Sequence, residues 1–386
     1  MTSTATIAST SKNVADIIVI GAGIAGASVA AELAKKQRVI LVEMESQPGY
    51  HTTGRSAAMF VPSYGPAPIR ALTRASAAFF NNPDKDFKIK SLLSSRPVMM
   101  IAREDQLEAM HILKSEISQN TIIRDLSSVE ISRMNPLLKE NYATAGLLDV
   151  EAYDIDVDAL HQGYLQRFKD RGGELRTNFQ IDHLVKNSGC WEVSAAGKQL
   201  KSPIVVNASG AWADELTDLA GFQRVGLTPK RRTMVVIDSP EGTATATLPM
   251  TIDIEEQFFL KPEAGQLLLS PADETPSPPC DAQPEELDIA IGVDRIESAF
   301  DFSVRRIQSS WAGLRSFVTD KVPAVGFLDK DESFFLLAGQ GGYGIQSSPA
   351  LSRMAAALAT GEPMPGDIAD EGVTPQQLSP KRLICS

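Results

Sequence analysis

Three glycines at fixed spacing, Gly21-x-Gly23-x-x-Gly26, and the acid Glu43 are the residues of this 386-residue chain whose types and spacing speak most directly of chemistry. Gly21 permits a tight turn, Gly23 lets backbone approach a pyrophosphate, and Gly26 allows a helix to pack closely on a strand. Free N–H groups at a helix start then face phosphates. Glu43 can accept both hydroxyls of an adenosine ribose and would repel a 2′-phosphate. The glycines are preceded by the apolar run 17–20 and followed by a helical stretch and a second apolar run, 39–42. Strand, glycines, helix, strand and acid arrive in the order a dinucleotide-binding unit requires.

Two more glycine-rich turns follow an apolar strand: Val206-Asn-Ala-Ser-Gly210-Ala-Trp212 and Gly339-Gln-Gly341-Gly342-Tyr343-Gly344-Ile345-Gln346. After Glu43 comes His51-Thr52-Thr53-Gly54-Arg55-Ser56-Ala57-Ala58, a loop of small residues suited to running along a large ligand. Three separated close backbone approaches imply an extended ligand that touches strands from across the fold. FAD fits that requirement; NAD needs fewer.

The elements that must position these residues can be read coarsely. A loop begins at residue 60 and a helix covers 69–80. A strand is expected at 97–101, a charged helix at 104–118, and a helix N-capped by Asp156, with Leu160, Tyr164 and Phe168 on one face, stopping at Gly172-Gly173. Strands follow at 174–179, 183–186 and 191–195. Residues 224–317 read as strands interrupted by an acidic, proline-rich surface loop at 270–286. The length favours two joined domains. The expected division is a cofactor domain from 16–90, 150–222 and 319–386, and a mainly antiparallel domain from 91–149 and 223–318. Residues 1–15 read as a disordered leader.

Composition narrows the function classes. With 43% hydrophobic and 22% charged residues the chain reads as an ordinary soluble globular protein, and its net charge of −11 argues against nucleic-acid or anionic-membrane partners. No apolar run reaches the ~20 residues that span a bilayer. Cys190, Cys280 and Cys385 are scattered and odd in number, so neither a disulfide framework nor a metal site is expected, and a reducing cytoplasm fits.

On GAGIAGAS, QPGYHTTGRSAA, ALHQGYL, PKRR, FLKPEAG, WAGLRSF and QGGYGIQ the chain resembles the FAD-dependent D-amino-acid oxidase/dehydrogenase superfamily, nearest within it to the bacterial catabolic D-arginine dehydrogenases. The resemblance implies an α/β fold, with a Rossmann-like FAD-binding domain of D-amino-acid-oxidase type and a mainly antiparallel α+β substrate domain over the flavin. It implies non-covalent FAD, contacted by Ala25, Glu43, Met44 and the loop Thr52 to Ala58. Further contacts are implied at Val185 on the adenine side, at Gly210 and Gly313, and at Gly341, Tyr343, Gly344, Ile345 and Gln346. The helix beginning near Gln346 would aim its N-terminus at the flavin pyrimidine ring.

The same resemblance implies that Arg232 and Arg315 hold the substrate carboxylate. Guanidinium suits that role because it binds carboxylate bidentately and stays charged. Tyr64 matches a tyrosine on a mobile loop that closes the site, the Gly342 carbonyl an acceptor for the substrate amine, and Gln346 a residue lining the site. Three positions depart from the arginine-specific relatives. Their guanidinium-binding acid falls at Val98, a pocket histidine at Met59 and a carboxylate-binding tyrosine at Phe259. A buried cation without a counter-ion costs several kcal/mol, whereas an apolar side chain gains from contact with these three.

The expectation is therefore FAD-dependent oxidative deamination of neutral or apolar D-amino acids rather than D-Arg or D-Lys. Hydride passes from Cα to flavin N5, and the imino acid hydrolyses to a 2-oxo acid and ammonia. The electron acceptor stays open, with a dehydrogenase favoured. No general base is evident: His51, His111, His161 and His183 all fall outside the matched pocket positions. Two alternatives stand beside this reading. One is oxidation of secondary amines, such as N-methyl amino acids, glycine or opines; the other is a flavin-binding subunit without turnover.

Overall fold

The apolar runs flanking the first glycine turn become the centre of a six-stranded sheet. Its order is Ala324–Phe327, Phe334–Ala338, Ile204–Asn207, Ile17–Ile20, Val39–Val42 and Glu174–Arg176. All neighbours are parallel except Ala324–Phe327, which runs antiparallel to Phe334–Ala338. Ile17–Ile20 and Val39–Val42 are buried throughout, as continuous Ile/Val/Leu runs in a sheet covered on both faces must be. This is a computed structural model of the chain, and it describes residues 13–89 and 91–384.

The helix Ile24–Leu33 leaves the first glycine turn and packs against Val157–Asp170 and Gly344–Ala359. Sandwiched in this way, it is buried nearly all round, which its small residues Gly26, Ala27, Ala30 and Ala31 permit. The helix Val157–Asp170 starts where Asp156 accepts a bond from the Ala159 N–H at 2.9 Å. A three-stranded antiparallel sheet, His183–Asn187, Cys190–Ala195 and Lys198–Ser202, is inserted in the chain between the strands Glu174–Arg176 and Ile204–Asn207.

A nine-stranded sheet forms the other half. In order it holds Thr275–Pro276, Thr228–Ile237, Gln266–Ser270, Phe259–Glu263, Met250–Asp253, Val98–Ala102, Ala145–Asp149 and Ile123–Ser127, with Ile307–Phe317 also pairing with Thr228–Ile237. It is antiparallel except where Met250–Asp253 meets Val98–Ala102. The short strand Met59–Phe60 pairs with Tyr153–Ile155 in a second small sheet, carrying the loop after Glu43 across to this half.

Several expectations need correction. Of the expected leader, residues 1–12 lie outside those described, but Val14 bridges Lys201 and the Asn13 carbonyl accepts the Lys201 N–H at 2.9 Å, so residues 13–15 are tied down. The segment 270–286 is not simply a surface loop: Asp273 accepts from the Thr233 N–H at 2.7 Å, and Ala282 O accepts from Arg55 at 2.8 Å. Its short strand Thr275–Pro276 pairs with Thr228–Ile237, and its carboxylates add further bonds to that neighbouring sheet. A helix, Glu286–Ala299, was not anticipated. Its mid-helix Gly292 lowers helix propensity, but a Cβ there would lie 3.1 Å from Pro271 Cδ, so the glycine serves close packing. The strand expected at 174–179 ends at Arg176. Cys190 and Cys280 are free; Cys385 lies outside the described residues.

Candidate active site

At the first glycine turn Gly21 has φ of +96°, and a Cβ on it would lie 2.6 Å from the Ala208 carbonyl oxygen. A Cβ on Gly26 would overlap the Gly21 carbonyl. Both positions therefore demand glycine. Glu43, almost fully buried, accepts the Ala22 N–H at 2.7 Å through Oε2 and the Glu45 N–H at 3.0 Å through Oε1. Each carboxylate oxygen keeps a lone pair for a further donor. The Ile24 N–H donates to Thr53 Oγ1 at 2.9 Å, stitching the loop after Glu43 to the helix start. Beneath the turn, His161 Nε2 lies 2.8 Å from the Ala22 carbonyl, and burial holds this imidazole below its usual pKa.

A single cavity of about 1170 Å³ runs from this turn to the nine-stranded sheet. It is lined by nearly every residue singled out from sequence: Gly21, Gly23, Ala25, Glu43, Met44 and Gly210 at one end, and Met59, Tyr64, Val98, Arg232, Phe259, Gly313, Arg315 and Gly342 at the other. The loop residues Thr52, Thr53, Arg55, Ser56, Ala57 and Ala58 and the turn Gly341, Tyr343, Gly344, Ile345 and Gln346 line the stretch between. Three do not line it. Gly26 packs on Gly21; Gly54 donates its N–H to the Gly49 carbonyl at 2.8 Å; Val185 sits in the small antiparallel sheet opposite Glu192. Phe179, Gln180 and Ile181 line the wall where Val185 was expected. Arg55 lines the cavity, but its guanidinium bonds the Ala282 and Ala312 carbonyls at 2.8 and 3.0 Å and pairs with Asp281.

At the far end, Arg315 and Arg232 come from adjacent antiparallel strands. Arg315 Nη2 donates to the Tyr64 hydroxyl at 3.1 Å, which in turn donates to Glu256 Oε2 at 3.2 Å. Arg232 Nε donates to the Asp273 carbonyl at 2.9 Å. Glu274 Oε1 lies 3.5 Å from Arg232 Nη2 and 4.0 Å from Arg315 Nη1, and neither of these buried nitrogens has a hydrogen-bond partner. Burial first, and then the like charge of Arg315, lower the pKa of Arg232. Two buried guanidinium groups with unspent donors can hold an anion, which would relieve both effects. The guanidinium of Arg315 lies over the Phe317 ring at 5.4 Å, and Tyr343 packs edge-on against Tyr64 at 5.1 Å.

The adjoining wall is apolar: Met59, Val61, Val98, Met100, Met234, Met250, Ile252 and Phe259. Val98 is paired across the sheet with Asp149, which is fully buried, accepts the Ser63 hydroxyl at 2.5 Å and does not line the cavity. Burial raises the pKa of Asp149. Sequence reasoning missed Glu256, Asp273, Glu274 and three of these methionines. Glu256 stands on a hairpin turn with φ of +55°, and only that turn carried a local signal.

The family described as DAO, FAD dependent oxidoreductase, matches residues 16–358. Among curated relatives, the FAD-dependent oxidoreductase domain-containing protein 1 of Xenopus laevis is 26% identical over 184 residues, a match spanning 43% of this chain and 36% of that protein. Among solved structures, glycine oxidase from Geobacillus kaustophilus superposes with a TM-score of 0.81 at 20% identity, covering 97% of this chain and 100% of that one. The dithionite-reduced L-α-glycerophosphate oxidase from Mycoplasma pneumoniae, with FAD bound, gives a TM-score of 0.79 at 20% identity, covering 90% and 95%. The residues present fit an FAD. A long cavity begins at a glycine cradle and a buried ribose-competent acid, and the buried Gln346 Nε2 beside it lacks a partner.

Proposed function

This chain belongs to the DAO family of FAD-dependent oxidoreductases, and from that premise we propose that it oxidatively deaminates D-amino acids with neutral or apolar side chains. One observation carries the reading. Arg232 Nη2 and Arg315 Nη1 are buried and without hydrogen-bond partners beside an apolar wall, the arrangement an amino-acid carboxylate and an uncharged side chain would complete together.

In this reading Arg315 and Arg232 hold the carboxylate, Tyr64 adds a hydroxyl to it, and the Gly342 carbonyl accepts an N–H of the amine. Bound FAD supplies the two-electron acceptor. Held in this way, the substrate turns its Cα–H one way, so binding the neutral amine and orienting it do most of the work. The imino product takes up water and yields a 2-oxo acid and ammonia. The half built on the six-stranded sheet, residues 16–90, 150–222 and 319–386, is the cofactor domain; the half built on the nine-stranded sheet is the substrate domain. Among the described residues no helix is long and apolar enough to cross a membrane. The free Cys190 and Cys280 support a reducing cytoplasm as its location, and we assign it the role of a dehydrogenase.

The test is anaerobic bleaching of the flavin with matched D- and L-amino acids, followed by oxygen uptake with the best substrate. Faster bleaching by L-enantiomers would refute the reading, as would a best kcat/KM on D-Arg. A second reading, oxidation of glycine or N-methyl amino acids, is supported by the likeness to glycine oxidase. Comparing each D-amino acid with its N-methyl derivative separates the two.

A further inference from the structure

Four of the chain's eleven methionines converge on one cavity wall from four different strands. Met100 lies in Val98–Ala102, Met234 in Thr228–Ile237, Met250 at the start of Met250–Asp253, and Met59 in the short strand facing them. Strand alternation explains the floor. Met250 pairs with Val98 and Ile252 with Met100, so these four share a sheet face, whereas the intervening Met99 and Thr251 turn away and are fully buried. Each of the four methionines is 8% exposed and all belong to one apolar cluster with Val98 and Phe259, so each presents a small surface to the cavity.

The carboxylates nearby are committed. Asp253 binds Gln106 Nε2 at 3.0 Å, Asp149 lies behind Ser63, Glu256 accepts from Tyr64, and Glu116 stands 3.9 Å from Arg70. A cationic side chain would thus compete for a counter-ion. A methionine, unbranched, with three rotatable bonds and a polarisable sulfur, reshapes itself around different apolar groups and contacts aromatic rings favourably.

We infer that Met59, Met100, Met234 and Met250 form an adaptable side-chain pocket that selects bulky apolar substrates, namely aromatic, thioether and long unbranched side chains. This rests on the amino-acid reading above and deepens it. Glycine and D-Ala leave the pocket unfilled; each buried methylene strengthens binding about fourfold.

The test measures anaerobic flavin reduction in the holoenzyme, with Kd and limiting rate for D-Phe, D-Met, D-norleucine, D-Ala, glycine and D-Arg, and for L-Phe and L-Met beside them. D-Phe, D-Met and D-norleucine should bind within about tenfold of one another, and D-norleucine at least tenfold tighter than D-Ala. The double variant Met100→Leu/Met250→Leu, checked for an unchanged flavin spectrum, should separate D-Phe from D-norleucine by widening the gap in their Kd values. Best binding by glycine, D-Ala or D-Arg overturns the pocket assignment, and so does an unchanged gap in the double variant. If glycine or D-Ala is best, the amino-acid reading survives. Bleaching only by L-enantiomers, or by no amine at all, overturns that reading itself.

Discussion

A Cβ on Gly342 would overlap the guanidinium of Arg315. The glycine is therefore a steric requirement of the arginine's position, and it lines the cavity beside it. Gly341 stands in the same relation to the Phe317 ring, over which that guanidinium lies. The last glycine turn thus shapes the end of the cavity where the two arginines lie.

Gly342→Ala should displace Arg315 while leaving the first glycine turn untouched. FAD should stay bound, with kcat/KM for the best D-amino acid falling about 100-fold, as expected for a displacement of about an ångström at a reacting centre. Stopped-flow flavin reduction, with the flavin spectrum as the control for folding, measures this. An unaltered Kd and reduction rate would show that the contact is relieved at no cost.

Arg232→Ala and Arg315→Lys should each raise KM more than they lower kcat. Loss of a charged hydrogen bond corresponds to about a 10- to 100-fold fall in kcat/KM. Arg232→Ala also leaves Arg315 without its like-charged neighbour, so that variant should retain the higher thermal stability of the two. Steady-state kinetics and melting curves together decide the matter.

Val98→Glu combined with Met59→His tests the side-chain preference. The new carboxylate would stand directly across the strand pair from Asp149, so the two acids repel unless a cation enters. D-Arg should gain about tenfold in kcat/KM and D-Leu lose about tenfold. No gain for D-Arg would mean that these positions do not face the substrate side chain.

His161 makes stability pH-dependent. Its pKa is lowered in the fold by burial, with the neutral ring donating Nε2–H to the Ala22 carbonyl. The unfolded chain therefore takes up the proton first as pH falls. The contribution is fully present above about pH 6.5 and is lost progressively below it. Melting temperature of the holoenzyme between pH 8 and pH 5 should fall, and His161→Asn should flatten that fall.

The cofactor end was legible because its signals are local. The turn 21–26 and Glu43 lie within one strand–helix–strand unit, and glycine types report directly on backbone that must turn or approach closely. Val185 was misplaced because an inserted antiparallel sheet reroutes the chain, leaving 179–181 to line that wall. The acidic segment 270–286 read as a surface loop because its composition is that of one. Only its packing on the Thr228–Ile237 strand shows that the Asp273 carbonyl meets Arg232 and that Glu274 stands beside both arginines.

By itself the sequence determined the dinucleotide unit, the need for a long ligand and the chemistry of single positions, since each depends on residue type at short spacing. Only the tertiary structure decided which side chains share the far end of the cavity. Val98, Arg232, Glu256 and Arg315 are neighbours there because a nine-stranded sheet and its hairpin turn bring together segments distant in the chain, and the loops carrying Tyr64 and Gly342 reach across to them. Such pairing leaves no periodic or motif signal in any one segment.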